Sequence, residues 1–124
     1  MIGDGVRMAA YRRALSSSVR PDCVVLDIGT GTGIMAMLAL RYGARRVYAI
    51  EPANIIQVAR ETAAANGMQD RIVFVQDLSS RASLPERVDL IVEDLRGASP
   101  WHGTHLLDVM DARNAFPEAS SSAE

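Results

Sequence analysis

Short apolar runs alternate along this chain with longer stretches in which apolar residues recur at helical spacing. A short apolar run bounded by Gly, Pro or polar residues is typical of a strand buried on both faces, whereas apolar residues three or four positions apart are typical of a helix. The pattern predicts strands over 24–28, 47–50, 72–75 and 88–92. It predicts helices over 5–15, 34–42, 54–66 and 105–116, with Asn54 as an N-cap and Gly43 and Gly67 as helix stops.

Strands separated by helices of this length indicate βαβ units and therefore a parallel sheet. We expect an α/β, Rossmann-like fold with strand order 3-2-1-4 and flanking helices. No internal repeat is present in the sequence. The predicted domain covers residues 1–116, and the small polar residues of 117–124 predict a disordered tail.

Composition narrows the class of protein. With 124 residues, 48% of them hydrophobic, the chain has the size and balance of one small globular domain. A net charge of −2 gives no basic excess of the kind that nucleic-acid binders show. The longest uncharged stretch, residues 28–40, is too short to span a membrane. Cys23 is the single cysteine and cannot form an internal disulfide, so we expect a reducing, cytoplasmic location.

The first predicted strand leads directly into a glycine-rich turn, and a predicted helix follows. The turn carries Asp27, Gly29, Gly31 and Gly33 in the spacing D-x-G-x-G-x-G. Glycines at such a turn let the backbone pass tightly from strand to helix and let a ligand approach with no Cβ atom in the way. The strand and the helix on either side make this turn more specific than a glycine motif alone.

A dinucleotide such as NAD is one possible ligand of this turn. Its fingerprint, G-x-G-x-x-G, requires a third glycine where this chain has Ile34. Asp27, just before the first glycine, is unfavourable beside a pyrophosphate and suits a ligand with a cationic amino group. The spacing is that of class I methyltransferases, which favours S-adenosyl-L-methionine over NAD.

Two more carboxylates end predicted strands on the same edge of the sheet. Glu51 ends the second strand, where it could accept both ribose hydroxyl protons, although a solvated charge at the helix entry is the alternative. Asp77 follows the third strand and could receive the adenine amino group. An ordinary Asx turn or helix cap at Asp77 is equally consistent with the sequence.

Several blocks in order make residues 2–116 resemble the cofactor domain of the protein arginine methyltransferases and their shorter bacterial relatives. The opening DGVRMAAY resembles the family's D-x-x-R-x-x-x-Y helix, GARRVYAIE at 43–51 matches G-A-x-x-V-Y-A-x-E, and LPERVDLIV at 84–92 resembles the entry to strand four. The resemblance implies that Arg7 pairs with the cofactor carboxylate and that Tyr11 packs over the site. It also implies a truncated class I methyltransferase fold, whose C-terminal half is absent here.

One segment departs from that family. Arginine methyltransferases carry two glutamates after strand four that grip the substrate guanidinium. Here Asp94 takes the place of the first glutamate, Glu93 precedes it, and no second glutamate follows before the predicted helix. Arg96 would repel a guanidinium, so the sequence argues against arginine as the methyl acceptor.

The resulting hypothesis is S-adenosylmethionine-dependent methyl transfer to an unidentified acceptor, a protein or a small molecule. Asp94, with Glu93 beside it, would orient or deprotonate that acceptor. A non-catalytic S-adenosylmethionine-binding module or truncated remnant, and an NAD-linked oxidoreductase, remain as alternatives. No metal is expected, because His102 and His105 have no carboxylate or thiol partner at matching spacing.

The apolar fourth strand suggests how copies of the chain would interact. If the sheet ended at 88–92, a row of unpaired backbone groups would be exposed there, and the helix predicted over 105–116 could not satisfy them. The sequence therefore predicts self-association through strand 88–92.

Overall fold

The computed structural model describes residues 4–79, 81–94 and 107–111, with side chains over 9–79 and 81–93. It contains three helices and five strands within these ranges. The helices are α1 (Asp4–Ser18), α2 (Ile34–Arg41) and α3 (Ile56–Ala65). The strands are β1 (Val24–Ile28), β2 (Arg46–Ile50), β3 (Ile72–Val75), β4 (Leu90–Asp94) and β5 (Leu107–Asp111).

The strands form one sheet with the order β3-β2-β1-β4-β5. β1 lies at its centre and pairs in parallel with β2 on one side and with β4 on the other. β3 extends the sheet in parallel beyond β2. The predicted order 3-2-1-4 of a Rossmann-like parallel sheet is therefore confirmed.

The end of the described chain differs from the prediction. In place of a helix over 105–116, residues 107–111 form β5, which runs antiparallel to β4 with Val92 opposite Val109. The physical reason is the free edge of β4, whose backbone groups require partners that a helix cannot supply. β5 fills that edge within the same chain, so the predicted self-association through strand 88–92 loses its basis. Residues 117–124, predicted as a disordered tail, lie outside the described residues.

One face of the sheet packs against all three helices. We call this apolar layer the helix-side core; it is built from buried residues of α1, α2, α3 and the strands, among them Leu15, Ala36, Ala39, Val47, Ala63 and Val92. Alanines on α2 and α3 face the sheet, which lets the helix backbones approach it closely. No helix in the described ranges combines the length and the apolar character needed to cross a membrane.

The opposite face is covered by irregular chain. We call this layer the loop-side core; it contains buried residues of β1, β2 and β4, and Ala82, Leu84 and Val88 of the segment before β4 pack against it. Because strand side chains alternate between faces, residues adjacent in β1 contribute to different layers. Val24 and Leu26 thus belong to the loop-side core and Val25 to the helix-side core.

A group of polar side chains fastens this irregular segment to the sheet. Glu86 accepts a hydrogen bond of 2.6 Å from the hydroxyl of Tyr48 and forms ion pairs with Arg45 and Arg46. The Tyr48 hydroxyl and the Arg45 guanidinium, which donate to the Glu86 carboxylate, lower the pKa of Glu86. Burial and the neighbouring Glu86 carboxylate raise the pKa of Tyr48. Burial is the largest cause of the raised pKa of Tyr48, and the hydrogen bond between the two side chains is the largest cause of the lowered pKa of Glu86.

The start of β4 is fixed by a reciprocal pair of hydrogen bonds to β1. The amide of Val24 donates to the carboxylate of Asp89 at 2.8 Å, and the amide of Asp89 donates to the carbonyl of Val24 at 2.7 Å. β4 then begins at Leu90, whereas the sequence predicted a strand over 88–92. Val88 packs against the loop-side core without joining the strand.

The α2–α3 contact depends on a glycine. Gly33 has φ +87°, in the left-handed region, and a Cβ atom placed on it would lie 3.1 Å from the Cβ atom of Ala59 on α3. A left-handed residue without a side chain thus allows α3 to pack against the start of α2. Gly67, which also has a positive φ of +71°, has nothing within 4 Å of such a Cβ atom.

We expect Gly33→Ala to destabilise the fold more than Gly67→Ala. Both changes place an alanine in a left-handed conformation, which costs roughly 1–2 kcal/mol. Only Gly33→Ala adds the close contact with Ala59. Urea unfolding followed by circular dichroism measures both variants against the wild type. Equal losses in free energy of unfolding would show that the contact with Ala59 carries no weight.

We expect the stabilisation by Glu86 to depend on pH. Because the pKa of Glu86 is lowered in the folded state from its ordinary value of 4.5, its contribution is present above that value and is lost as the pH falls through the folded-state pKa. The difference in urea midpoint between wild type and Glu86→Gln should therefore narrow as the solution is acidified below about pH 4.5. Glu61→Gln, on the exposed side of α3, is the matched control. A difference that stays constant through this acid range would contradict the ion-pair assignment.

Candidate functional site

The carboxyl ends of β1 and its two neighbours enclose the candidate site. Strand order reverses at β1, because the chain passes from β1 to β2 on one side and only later to β4 on the other. In open α/β sheets, such a reversal of strand order at the carboxyl ends of the strands is the place where ligands bind. Asp27, Glu51 and Glu93 all lie here, since Ile28 pairs with both Ile50 and Glu93.

The glycine-rich turn is held by hydrogen bonds to the end of β2. The carbonyl oxygen of Ile50 accepts the amides of Gly29 at 2.8 Å and Thr30 at 3.0 Å, and the amide of Gly33 donates to Thr30 at 2.8 Å. Gly29 and Gly31 have φ values of +71° and +56°, which favour glycine. The amides of Gly29, Thr30 and Gly33 thus donate to acceptors within the protein, and the amide of Gly31 does the same, with Glu51 as its acceptor.

Asp27 is a buried carboxylate at the base of this turn. Its side chain is 2% exposed, and its Oδ2 atom accepts a hydrogen bond of 2.7 Å from the hydroxyl of Thr30, which is 7% exposed. The register partners Ala49 and Val92 both belong to the helix-side core, so Asp27 projects from the face covered by α1, α2 and α3. A carboxylate at this depth requires hydrogen-bond donors or a cation.

Glu51 connects two loops. One carboxylate oxygen accepts the amide of Gly31 at 3.0 Å, and the other accepts the amide of Ala53 at 3.1 Å. The amide of Glu51 itself donates to the carbonyl of Val75 at the end of β3. Because an ionised carboxylate has about four acceptor positions, each oxygen retains capacity for a further donor. Glu51 is half-buried and lies next to the glycine-rich turn.

The end of β3 contributes an amide network and a third carboxylate. The Oδ1 atom of Asp77 accepts the amide of Leu78 at 2.7 Å, which is a local contact of the kind the sequence left open. Asn54 does not cap α3: its Oδ1 accepts the side-chain amide of Gln76 at 2.9 Å, and the N-cap position is taken by Ile55 without a side-chain bond. The predicted cap is wrong because a partner outside the helix competes for the Asn54 oxygen.

The two predicted catalytic residues end β4. Glu93 is the register partner of Ile28 and follows Val92, so alternation places it on the loop-side face, opposite to Asp27. Asp94 is the last residue of β4 and pairs with Leu107 of β5. The side chain of Asp94 lies outside the described residues. The sheet thus brings Asp94 to the same edge as Asp27 but separates the side chains of Glu93 and Asp27 by face.

Other predicted positions are described only in part. Arg7 lies in the first turns of α1, and its side chain is outside the described residues. Tyr11, which the resemblance places over the site, is 4% exposed and belongs to the helix-side core. Arg96, His102 and His105 all lie outside the described residues.

Four acidic residues whose side chains the structure describes lie along this edge of the sheet. Asp27 and Glu51 flank the glycine-rich turn on two sides, and Asp77 and Glu93 extend the carboxylates along the sheet edge. The turn amides of Gly29, Thr30, Gly31 and Gly33 already have protein acceptors. A phosphate-binding turn instead directs its amides to the ligand. This arrangement is suited to a ligand that carries a positive charge and hydroxyl donors.

Two residues at this site were not predicted from the sequence. Thr30 was part of the glycine motif, but only the structure shows that its hydroxyl bonds to Asp27. The signal was a hydroxyl residue three positions after the acidic residue, where side chains of Ser and Thr commonly satisfy nearby polar groups. Ala59, which packs against Gly33, had no sequence signal beyond its place on a predicted helix.

A family model and several relatives match this chain. The model for ribosomal protein L11 methyltransferase (PrmA) matches residues 11–95, which include the glycine-rich turn and the end of β4. Protein arginine N-methyltransferase PRMT10 of Oryza sativa subsp. japonica is 41% identical over 109 residues, which are 86% of this chain and 27% of the rice protein. The chain spans between 16% and 34% of the length of the curated relatives it matches.

Solved structures of relatives share the same fold. The Trypanosoma brucei PRMT1 enzyme-prozyme complex with AdoHcy matches 71% of this chain and 28% of its own, with TM-score 0.68 and 37% identity. Ribosomal protein L11 methylase of Lactobacillus delbrueckii subsp. bulgaricus matches 73% of this chain and 47% of its own, with TM-score 0.60 and 29% identity. The resemblance seen in the sequence is therefore confirmed: the chain belongs to the class I, S-adenosylmethionine-dependent methyltransferases, in the family of the ribosomal protein L11 methyltransferase (PrmA) model.

Proposed function

We propose that this chain binds S-adenosyl-L-methionine at the carboxyl edge of the sheet and forms the cofactor-binding part of a methyltransferase. The single observation that carries the proposal is the pair of carboxylates, Asp27 and Glu51, that flank a glycine-rich turn whose amides donate within the protein. The T. brucei relative, whose structure contains AdoHcy, supports the same ligand class.

Asp27 would hold the ammonium group of the ligand. A buried carboxylate gains most from a cation, because the low dielectric around it strengthens the attraction and the cation offsets the cost of burying the charge. When bound, S-adenosylmethionine supplies a methyl group on a cationic sulfonium. The role of the protein is then mainly to hold the ligand and the acceptor in line, which requires neither a covalent intermediate nor a metal.

The remaining contacts follow the edge of the sheet. Glu51 would accept the ribose hydroxyl protons through the acceptor positions that Gly31 and Ala53 leave open. Asp77, after β3, would receive the adenine amino group, and Arg7 on α1 would pair with the ligand carboxylate. Gly29, Gly31 and Gly33, which have no side chains, would let the backbone of the turn approach the ligand closely.

The same geometry disfavours the NAD-linked alternative. A pyrophosphate would lie against the turn, where it would meet the negative charges of Asp27 and Glu51. It would also compete with the acceptors that already take the amides of Gly29, Thr30 and Gly31. Both effects oppose an anionic ligand.

The acceptor would bind beyond the end of β4. Asp94 would orient or deprotonate it, with Glu93 as a second carboxylate next to it in the chain. The relatives support a protein acceptor, since those named are methyltransferases of protein arginine and of ribosomal protein L11. The single, buried Cys23 supports a reducing, cytoplasmic location.

A second candidate function is a binding module without transfer. The described contacts that suit a ligand, those of Asp27, Glu51 and the glycine-rich turn, all belong to the cofactor side of the proposed site. Titration with S-adenosylmethionine, followed by a transfer assay with radiolabelled methyl, separates the two functions. Binding without transfer to any protein in a cell extract supports the module.

We expect Asp27→Ala and Glu51→Ala each to weaken S-adenosylmethionine binding by about 1.5–3 kcal/mol, as the loss of a hydrogen bond to a charged group does. Isothermal titration calorimetry measures the dissociation constants. Asp70→Ala, an exposed carboxylate before β3, is the matched control and should bind as the wild type does. Unchanged affinity in both folded site variants would refute the assigned site.

We expect no appreciable methylation of arginine-rich peptides. The second glutamate that grips a guanidinium is absent after Asp94, and Arg96 adds a repelling charge. Transfer of radiolabel from S-adenosylmethionine to such a peptide, with ribosomal protein L11 as the alternative acceptor, tests this expectation. Peptide labelling that disappears in Asp94→Ala would show that arginine is the acceptor after all.

A further inference from the structure

Thr30 is a polar side chain buried beside the charge of Asp27. The Thr30 residue is 7% exposed, and its hydroxyl donates to the Asp27 carboxylate at 2.7 Å. The hydroxyl of Thr30 is the donor of this hydrogen bond and the Oδ2 atom of Asp27 is the acceptor. A buried contact between a hydroxyl and an ionised group is among the stronger hydrogen bonds in proteins.

The backbone of Thr30 is fixed on both sides. Its amide donates to the carbonyl of Ile50 at 3.0 Å, and its carbonyl accepts the amide of Gly33 at 2.8 Å. The Cα–Cβ bond therefore has a set direction, and the β-branched side chain adopts few rotamers. The hydroxyl is therefore held in position by the protein alone, without a ligand.

Asp27 gains orientation from this contact. The terminal torsion of an aspartate is broad, because rotation about its sp³–sp² bond meets little barrier. A fixed donor at Oδ2 confines the plane of the carboxylate. Preorganised charge binds a ligand more tightly than charge that must first reorient, because the ordering cost is met during folding.

We propose that Thr30 is a positioning residue that orients the Asp27 carboxylate towards the ammonium group of the ligand. This inference rests on the proposed function, in which Asp27 holds that group. On this inference, Thr30 contributes to binding of the amino acid end of the ligand and not to binding of its nucleoside end. A residue that merely maintained the turn would affect the nucleoside end as well, because the same turn lies beside Glu51.

Two ligands distinguish these roles. S-adenosylhomocysteine carries the amino acid end, and 5′-methylthioadenosine has the same nucleoside and sulfur without it. Calorimetric titration of both ligands is carried out on the wild type, Thr30→Val, Thr30→Ser and the control Thr32→Val, which changes an exposed threonine of the same turn. Thr30→Val is nearly isosteric and lacks the hydroxyl, whereas Thr30→Ser retains it.

We expect Thr30→Val to bind S-adenosylhomocysteine about 3- to 10-fold more weakly, as loss of one hydrogen bond implies, and 5′-methylthioadenosine as the wild type does. Thr30→Ser and Thr32→Val should bind both ligands as the wild type does. In an Asp27→Asn background, Thr30→Val should add little further loss, because Thr30 acts through Asp27.

Several outcomes would overturn the inference. Equal weakening for both ligands would assign Thr30 to turn structure, and unchanged binding of S-adenosylhomocysteine would show that Asp27 needs no orientation. If Thr30→Val does not fold, Thr30→Ala is titrated with the same two ligands and the same expectations. A wild type that binds neither ligand refutes the proposed function and this inference together, whereas a wild type that binds while Thr30→Val is unaffected refutes the inference alone.

Discussion

The carbonyl oxygen of Ile50 is the point on which the candidate site depends. Ile50 is the last residue of β2, and its carbonyl oxygen accepts hydrogen bonds from the amides of both Gly29 and Thr30. These bonds attach the end of β2 to the turn that follows β1. Gly29, Gly31 and Gly33 of this turn all have positive φ values, which glycine adopts without strain. α2 begins directly after this turn, at Ile34. The positions of Asp27 below the turn and Glu51 beside it follow from the same attachment.

Asp27 and Glu51, the two carboxylates that we propose for ligand binding, also accept hydrogen bonds from the protein itself. Glu51 accepts hydrogen bonds from the amide of Gly31 in the turn and from the amide of Ala53 in the connection between β2 and α3. The carboxylate thus supplies acceptors that backbone carbonyl groups would otherwise have to provide. Asp27 is satisfied in part by Thr30. A site arranged in this way keeps its shape through internal contacts, and each oxygen of Glu51 can still accept one further hydrogen bond.

Much of this arrangement could be predicted from sequence, because its chemistry is local. Strands β1 and β3 match their predicted limits, since both are apolar runs with polar or turn residues at each end. The glycine turn with Asp27 was predictable for the same reason. Residues 107–111 were not: Leu107, Val109 and Met110 satisfy helical and strand periodicity alike, and only the unfilled edge of β4 decides between them. The role of Asn54 and the contact between Gly33 and Ala59 depend on residues that are distant in sequence.

The pair of hydrogen bonds between Val24 and Asp89 has a consequence for the order of folding. It joins residues 65 positions apart, whereas the pairings of β1 with β2 and of β2 with β3 join residues roughly 20 to 25 apart. Closing the longer loop costs about 1 kcal/mol more in chain entropy. The first three strands, with α2 and α3 between them, can therefore form as a nucleus while β4 is still free. The hydrogen bonds between Asp89 and Val24 form together with that more distant pairing, so the loop-closure entropy that they must offset is larger than for the other parallel strands.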